Sequence, residues 1–569
     1  MNTYKSPYLD VNIPTDRSVS QILEEFNPDL IRHDKVILED FGAPHKSITY
    51  GGIRAAAAQG AAGLKGVLGM REGDMAAVLS SNSVDWAILG HSIWWLGGII
   101  CAINPSSTAY ELVHYLAIAK AKFIFLEEDV LAKVEEALKL GGGSITKPTI
   151  VVLGNDFAGD AYRVFPRDIL DGTKVQTPPF NLSNSDNRKR AAVICFSSGT
   201  SGKPKAVVLS HYNIIGYLVC MRQTDPFLYN GFQREVFYAP FSHLYGMMMA
   251  FVLPAFSGRY VVVMNKFELQ PYIERCAEIK ATVLCVVPST AVELVKAPFV
   301  RGLDLTSVQT ILCGGAPLQV GVVQQLQELM GDTNIVQGYG LSEGGVTNLR
   351  GHASKWKAGS VGRLFAGHQA RIVDGDGKDV TAGQPGQIII KGPTVFIYGG
   401  VVSLTTRDRE YKDNPEATKA AFKDGWFCSG DIGRMDSDGF LWLTGRKKEL
   451  IKYKGLQVSP AELEDVLLSH PDVKEAALCG VFDAQRQTEV PVAYVSLQKR
   501  EATSNQAEMG GILQGIRKYV DGRVSSHKQL RGGVHYLAEI PKNANGKLMR
   551  RLLPAKLAEV GKENRISKL

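Results

Sequence analysis

The chain has 569 residues, of which 45% are hydrophobic, 21% charged and 8% aromatic. At about 150 residues per domain that is three to four domains' worth of chain, and a composition this apolar excludes intrinsic disorder. The charge is uneven: 64 basic residues against 57 acidic give +7 overall. Residues 446–569 carry 22 basic and 14 acidic side chains, so the stretch before them is close to neutral. A basic terminal segment suits work on a polyphosphate, or is simply a solvated surface.

The first residues, Met1 to Asp16, contain no apolar run of the kind that directs secretion. Short β-rich runs alternate with helical patterns up to about residue 440: Met75–Ser80, Phe123–Leu126, Thr149–Leu153, Ala192–Phe196 and Ala281–Val287. Near-continuous apolar strands between helices predict parallel sheets covered on both faces. Trp86 to Ile103 is apolar enough to raise the question of a membrane span, but Gly97-Gly98 interrupts it and Asn104-Pro105 stops it. A buried helix, a glycine turn and a core strand are expected there, with no transmembrane segment. Pro178 to Asn187 reads as a polar linker. The eight cysteines form no CxxC pair and mostly sit in apolar runs, as free buried thiols do.

After Gly445 the pattern becomes compact, basic and α+β. Ser459-Pro460-Ala461-Glu462 predicts a helix start with a capping box. Strands are expected at Ala476–Phe482, Pro491–Leu497 and Val534–Ile540, with a helix near Met509–Val520. The reading is an α/β protein with a large N-terminal body, residues 1–445, and a small mobile α+β C-terminal domain, residues 446–569.

The strongest local signal is Ser197-Ser198-Gly199-Thr200-Ser201-Gly202-Lys203-Pro204-Lys205, set between the apolar runs Ala192–Phe196 and Ala206–Ser210. Small residues let backbone N–H groups approach phosphate oxygens, hydroxyls add donors, and lysines add charge. The loop is not a Walker A motif, because only two residues separate its glycines and a strand, not a helix, follows.

This loop resembles the phosphate-binding signature of the adenylate-forming superfamily, which includes acyl-CoA synthetases, 4-coumarate–CoA ligases, fungal aryl-CoA ligases and firefly luciferase. Six further marks of that superfamily follow in order. They are Pro240–Tyr245, Gly314–Pro317, Gln337–Glu343, Gly425–Asp431, Gly445–Gln457 and Pro541–Lys547.

The resemblance implies an ATP-dependent acid–CoA ligase using Mg2+ and coenzyme A. A carboxylate attacks the α-phosphate of ATP, pyrophosphate leaves, and the acyl-adenylate then passes its acyl group to the CoA thiol. It assigns Lys547 to adenylation, bridging carboxylate and α-phosphate, and Glu343 to Mg2+. Ser342 and the loop residues Ser197 to Gly202 and Lys205 would contact phosphates. Gln337, Gly338 and Tyr339 would border the adenine, and Asp431 and Arg446 would hold the ribose. Lys448 matches a hinge, about which the small domain would turn to present Lys452, Lys454, Gly455 and Gln457 for thioester formation. His243 would stand between the acid pocket and the thiol tunnel, as a positioning group or a general base.

Tyr245, Gly315, Gly340, Val346 and Thr347 match the acid pocket of coumarate-type ligases. The two glycines would leave space, and no Arg or Lys in the set awaits a second carboxylate, which points to a monocarboxylic aryl or medium-chain acid. Residues 400–411 form an insertion expected to be a surface loop. Ser567-Lys568-Leu569 resembles the peroxisomal address, so a peroxisomal import receptor is an expected partner. A luciferase-like oxidation, transfer to a carrier protein, and a non-catalytic acyl or nucleotide sensor are the alternative functions. Nothing suggests nucleic-acid binding.

Overall fold

A computed structural model describes residues 2–558 except 155–156, 158, 160, 198–203, 316–317, 319, 397–410, 448, 454–455, 484–485, 487, 499–505, 525, 544–547 and 557. The body is built on four sheets. The largest has seven strands in the spatial order Lys205–Ser210, Ala191–Ser197, Ile99–Ala102, Met75–Leu79, Phe123–Leu126, Thr149–Leu153, Arg163–Phe165. All are parallel except Lys205–Ser210, which runs back against Ala191–Ser197 so that the Ser/Gly/Lys loop joins the two arms of a hairpin. The apolar runs Met75–Ser80, Phe123–Leu126, Thr149–Leu153, Ala192–Phe196 and Ala206–Ser210 coincide with these strands, whose residues are mostly buried, and Ala281–Val287 coincides with a strand of another sheet.

The Trp86–Ile103 segment is a helix, Val84–Leu96, followed by Gly97 in the left-handed conformation (φ +85°) and the strand Ile99–Ala102. Ser83 caps the helix by accepting from the Trp86 N–H, and the Trp94 indole donates to the Ala192 carbonyl at 2.9 Å. This helix is apolar all round because protein surrounds it on every side. Among the described residues no helix is long and apolar enough to cross a membrane. All eight cysteines are free, and all but Cys428 are buried.

Two smaller sheets complete the site-bearing half. One sets Arg234–Phe237, Tyr260–Val263 and Val36–Asp40 parallel, with Ala43–Thr49 antiparallel at its edge. The other sets Val283–Val286, Thr310–Cys313 and Asn334–Leu341 parallel, then turns back through Gly344–Asn348 and Arg363–Leu364.

Three expectations need correcting. Parallel layering does not extend to residue 440: Gln369–Val373, Gly386–Lys391, Trp426–Met435 and Leu441–Arg446 form an antiparallel sheet, with a polar-outward alternation the apolar-run criterion passes over. Pro178 to Asn187 is a strap packed on the body. Leu182 is buried, its N–H donates to Gln21, and the Phe180 carbonyl accepts from Ser18. Ser459 is the N-cap of the Pro460–Leu468 helix but makes no capping bond. Its hydroxyl donates to the Thr444 carbonyl, and Glu462 instead pairs with Lys528.

The C-terminal residues have a core of their own, in which Val458, Leu463, Leu467, Val473, Ile516 and Val520 pack together. The strands Val473–Asp483 and Thr488–Leu497 pair antiparallel, Val534–Tyr536 adds parallel, and the Gln506–Asp521 helix covers them. Arg550 closes this unit, pairing with Glu464 and Glu449, each at 2.7 Å. Burial raises the Glu464 carboxyl and Arg550 pulls it back down. Removing the cation leaves a buried carboxylate without its partner, so Arg550→Met should cost about 3 kcal/mol. Thermal melts of the full chain would show it as earlier unfolding of this domain; an unmoved transition would mean the pair contributes nothing.

Candidate active site

The site lies where the C-terminal ends of the parallel strands meet the antiparallel sheet. Asn334–Leu341 delivers Gln337, Gly338, Tyr339 and Gly340 and turns into Gly344–Asn348. Gln337 is buried and accepts from the Leu318 N–H at 2.9 Å, which ties this strand to the segment following Gly314-Gly315. The Tyr339 hydroxyl donates to Asp431 Oδ2 at 2.6 Å, and Arg446 Nε stands 3.4 Å from Oδ1 of the same carboxylate. Asp431 and Arg446 face each other across paired strands, so backbone register places them together. Burial and the Asp431 charge push the Tyr339 phenol well above its ordinary value, which keeps it a proton donor.

Glu343 is buried at the turn between the two strands of the hairpin, and Ser342 is half-buried beside it. Its Oε1 accepts from the Tyr411 hydroxyl at 2.9 Å, and the Lys205 ammonium lies 4.6 Å from the centroid of the Tyr411 ring. Tyr411 is buried, bridges to Val207 in the hairpin, and donates its N–H to Thr418. Burial and Glu343 raise this phenol too. The surface-loop reading of residues 400–411 therefore fails at its last residue, and residues 400–410 lie outside the described chain. Asn414-Pro415 begins the next helix just after it, so a core aromatic anchoring that helix was the available signal for Tyr411. Among the described residues no three His, Cys, Asp or Glu side chains cluster to hold a metal. One buried carboxylate with an oxygen still to offer fits Mg2+, which completes its shell with phosphates and water.

Ser197 ends its strand buried, its hydroxyl without a partner, while Ser198, Gly199, Thr200, Ser201, Gly202 and Lys203 lie outside the described residues. Pro204, directly after them, is held through its carbonyl by His114 Nε2 at 2.8 Å.

The acid-pocket candidates come together in part. Tyr245 packs 5.4 Å from Phe237, ring to ring, and a Cβ on Gly314 would lie 3.3 Å from its Cζ. Gly315 has φ +89°, and a Cβ there would meet Val287 Cγ1 at 3.9 Å, an ordinary contact, so it is the backbone conformation that favours glycine. Gly340 differs: its Cβ would meet Gly345 Cα at 3.2 Å, so a side chain there would crowd the paired strand. Val346 and Thr347 are successive strand residues and leave opposite faces. Val346 packs in the cluster with Phe237 and Tyr245, whereas the Thr347 hydroxyl donates to the Val361 carbonyl at 2.6 Å. His243 Nδ1 accepts from the Tyr245 N–H at 3.2 Å. A neutral His243 ring then carries its proton on Nε2.

Of the C-terminal candidates, Arg446 stands at this site. Lys452 is exposed on the hairpin Ile451–Tyr453/Leu456–Val458, opposite Gln457, with its N–H donating to Glu489. Lys448, Lys454 and Gly455 lie outside the described residues, as does Lys547. The base of the loop bearing Lys547 is described: the Met549 N–H donates to the Pro541 carbonyl at 2.9 Å and Lys542 pairs with Leu548. The charges of Lys542, Lys474 and Glu475 face Glu293 on the body, and that of Arg551 faces Tyr115.

Fold and site together fit an adenylate-forming enzyme: a layered α/β body, a carboxylate, Asp431, held between Tyr339 and Arg446, and a buried acidic residue, Glu343, beside a lysine-bearing hairpin. Residues 31–397 match the AMP-binding enzyme model and residues 462–547 the AMP-binding enzyme C-terminal domain model; the chain belongs to the AMP-binding enzyme family. It is 31% identical to a probable 4-coumarate–CoA ligase 1 of Dictyostelium discoideum, over 97% of each chain. It is 32% identical to the peroxisomal OPC-8:0-CoA ligase 1 of Arabidopsis thaliana, over 85% of this chain and 84% of that one. The crystal structure of the anthranilate CoA ligase AuaEII with anthranoyl-AMP superposes with TM-score 0.81 at 24% identity, over 96% of this chain and 99% of that one.

Proposed function

We propose a division of labour for this AMP-forming acid–CoA ligase, in which residues 1–445 hold ATP and the acid and residues 446–569 exchange one catalytic lysine for another. The separate hydrophobic cores on either side of Arg446 support that boundary. The observation that supports the reading is Asp431, whose carboxylate is held between Tyr339 and Arg446, the position the family uses for the ribose of the nucleotide.

In the first step a carboxylate oxygen attacks the α-phosphorus and the bond to pyrophosphate breaks. Two anions must approach, so the barrier falls through positioning and positive charge. Lys547 supplies that charge at the carboxylate and α-phosphate, Lys205 and the Ser197–Gly202 loop hold the outgoing phosphates, and Ser342 donates to the α-phosphate. Gln337 and Gly338 line the adenine pocket against Tyr339. Mg2+ would be held by Glu343 and would neutralise phosphate charge when bound. His243 orients the carboxylate through Nε2–H, the tautomer its bond to Tyr245 supports. In the second step the C-terminal domain turns about Lys448 and brings Lys452, Lys454, Gly455 and Gln457 to the body. The CoA sulfur then attacks the acyl carbon and AMP leaves. Tyr245, Gly315, Gly340, Val346 and Thr347 border the acid.

Tyr411 fixes the orientation of Glu343, so Tyr411→Phe should raise the Mg2+ concentration for half-maximal adenylation about tenfold. A Mg2+ titration of pyrophosphate release checks it, and an unchanged midpoint would free Glu343 from dependence on Tyr411. The experiment for the function as a whole is a panel of carboxylic acids scored for pyrophosphate release with and without CoA. Thioester should form only with ATP, acid and CoA together; adenylate that never passes to CoA would point to a different acceptor.

Peroxisomal import is part of the proposal and rests on Ser567-Lys568-Leu569 being a free carboxyl end. A fluorescent fusion ending in these residues should enter peroxisomes and lose that location when Leu569 is deleted.

A further inference from the structure

One turn of a neighbouring helix grips the Ser/Gly/Lys hairpin from outside, at both ends of its loop. The helix Ala109–Ala119 has a firm start, with Thr108 and Glu111 forming a capping box. Its Tyr115 ring packs on Phe196, just before the loop, with centroids 4.5 Å apart. The next residue toward the helix start, His114, holds the carbonyl of Pro204, just after the loop, through Nε2 at 2.8 Å. A carbonyl oxygen only accepts, so Nε2 of His114 carries a proton and donates it.

Pro204 is where such a grip matters. Proline has no N–H, so its carbonyl is the one backbone group by which a hydrogen bond can hold it. That carbonyl shares a planar peptide unit with the Lys205 N–H, and Lys205 opens the strand Lys205–Ser210 opposite Ser197. The strand is the edge of its sheet, and on its outer side Val207 bridges Tyr411 and the Ala206 carbonyl accepts from Lys412. Two outside contacts therefore place Lys205: the Tyr411 ring lies under its ammonium, and His114 sets the peptide plane at its start. Ordering a backbone and a lysine around phosphate costs entropy, and a peptide plane fixed in advance removes part of that cost.

We propose that His114 is a positioning residue for the β- and γ-phosphates of ATP, acting through the Pro204 carbonyl on Lys205 and on the loop that ends there. The inference rests on the reading of residues 197–205 as the phosphate-binding loop and adds a residue from outside it. These phosphates are held before and after their bond to the α-phosphorus breaks. Loss of the grip therefore weakens binding and leaves the chemical step alone.

The test compares His114→Phe, which keeps a flat ring and removes the donor, with His114→Gln, whose amide can donate from nearly the same place. His114→Phe should raise KM for ATP, and KM for pyrophosphate in the exchange reaction, about five- to tenfold, with kcat within about twofold of wild type. Inhibition by AMP, which lacks those phosphates, should stay at the wild-type level. So should conversion of synthetic acyl-adenylate and CoA to thioester, and a general distortion of the site would spare neither. His114→Gln should recover most of the loss. In His114→Phe, KM values for ATP and pyrophosphate within about twofold of wild type, or AMP weakened equally, would overturn the proposal. So would a His114→Gln variant no better than His114→Phe. Lys205→Met, measured alongside, tells two failures apart. If it too leaves both KM values unmoved, the phosphate-loop reading falls with the proposal; if it raises them while His114→Phe does not, the proposal alone falls.

Discussion

Lys547→Ala is expected to lose about three orders of magnitude in pyrophosphate exchange yet still convert synthetic acyl-adenylate and CoA to thioester. One well-placed charge at a developing transition state is worth a factor of this size when water is excluded. The selectivity of the loss follows from alternation. If the C-terminal domain withdraws Lys547 before the thiol attacks, its ammonium cannot contribute to the second step. Lys452→Ala should show the converse, with exchange retained and thioester formation impaired. Comparable loss of both half-reactions in either variant would place both lysines in a single conformation and remove the domain rotation from the account.

Glu343→Gln is expected to lower kcat/KM for adenylation about a hundredfold. The amide keeps the shape of the side chain and an oxygen for the Tyr411 hydroxyl to donate to, but it removes the charge that suits a hard cation. Folding should be unharmed, because removing a buried charge relieves a desolvation cost. Steady-state assays at saturating and limiting Mg2+ separate this from a general defect: the deficit should be largest when Mg2+ is scarce. An equal deficit at all Mg2+ concentrations would mean that Glu343 acts by some other route. Tyr411→Phe, which preserves the carboxylate, should fall between wild type and Glu343→Gln.

The parts of this molecule legible in its sequence are those where one physical requirement dominates locally. Strands buried on both faces read as apolar runs, so Phe123–Leu126 and Thr149–Leu153 coincide with their expected bounds. Val84–Leu96 announces itself through a cap, an unbroken apolar run and a glycine stop. Asp431, Arg446, Tyr339 and Glu343 were singled out through the resemblance of the motifs around them, and the structure brings three of them together, Tyr339 donating to Asp431 and Arg446 standing 3.4 Å from the same carboxylate.

What was not legible depends on partners distant in sequence. Ser459 has every mark of a capping residue, and only the tertiary position of Thr444 decides where its hydroxyl goes. Arg259 precedes an apolar strand and reads as a surface side chain reaching for water. It becomes a buried group only because Glu235, on the neighbouring parallel strand, stands within 3.1 Å. Tyr411 ends an unfamiliar stretch, and its contact with Glu343 spans 68 positions of sequence. Such pairings belong to the register between sheets, which local periodicity does not encode.

The central claim is that the acid's own carboxylate oxygen displaces pyrophosphate from ATP. Running a single turnover with an acid labelled with oxygen-18 in its carboxylate, CoA and unlabelled ATP, then weighing the nucleotide product, tests it directly. AMP carrying one heavy oxygen per turnover, with unlabelled pyrophosphate, is the predicted result. ADP as the product, or a heavy oxygen recovered in free phosphate, would mean attack at the γ-phosphorus and would contradict the account.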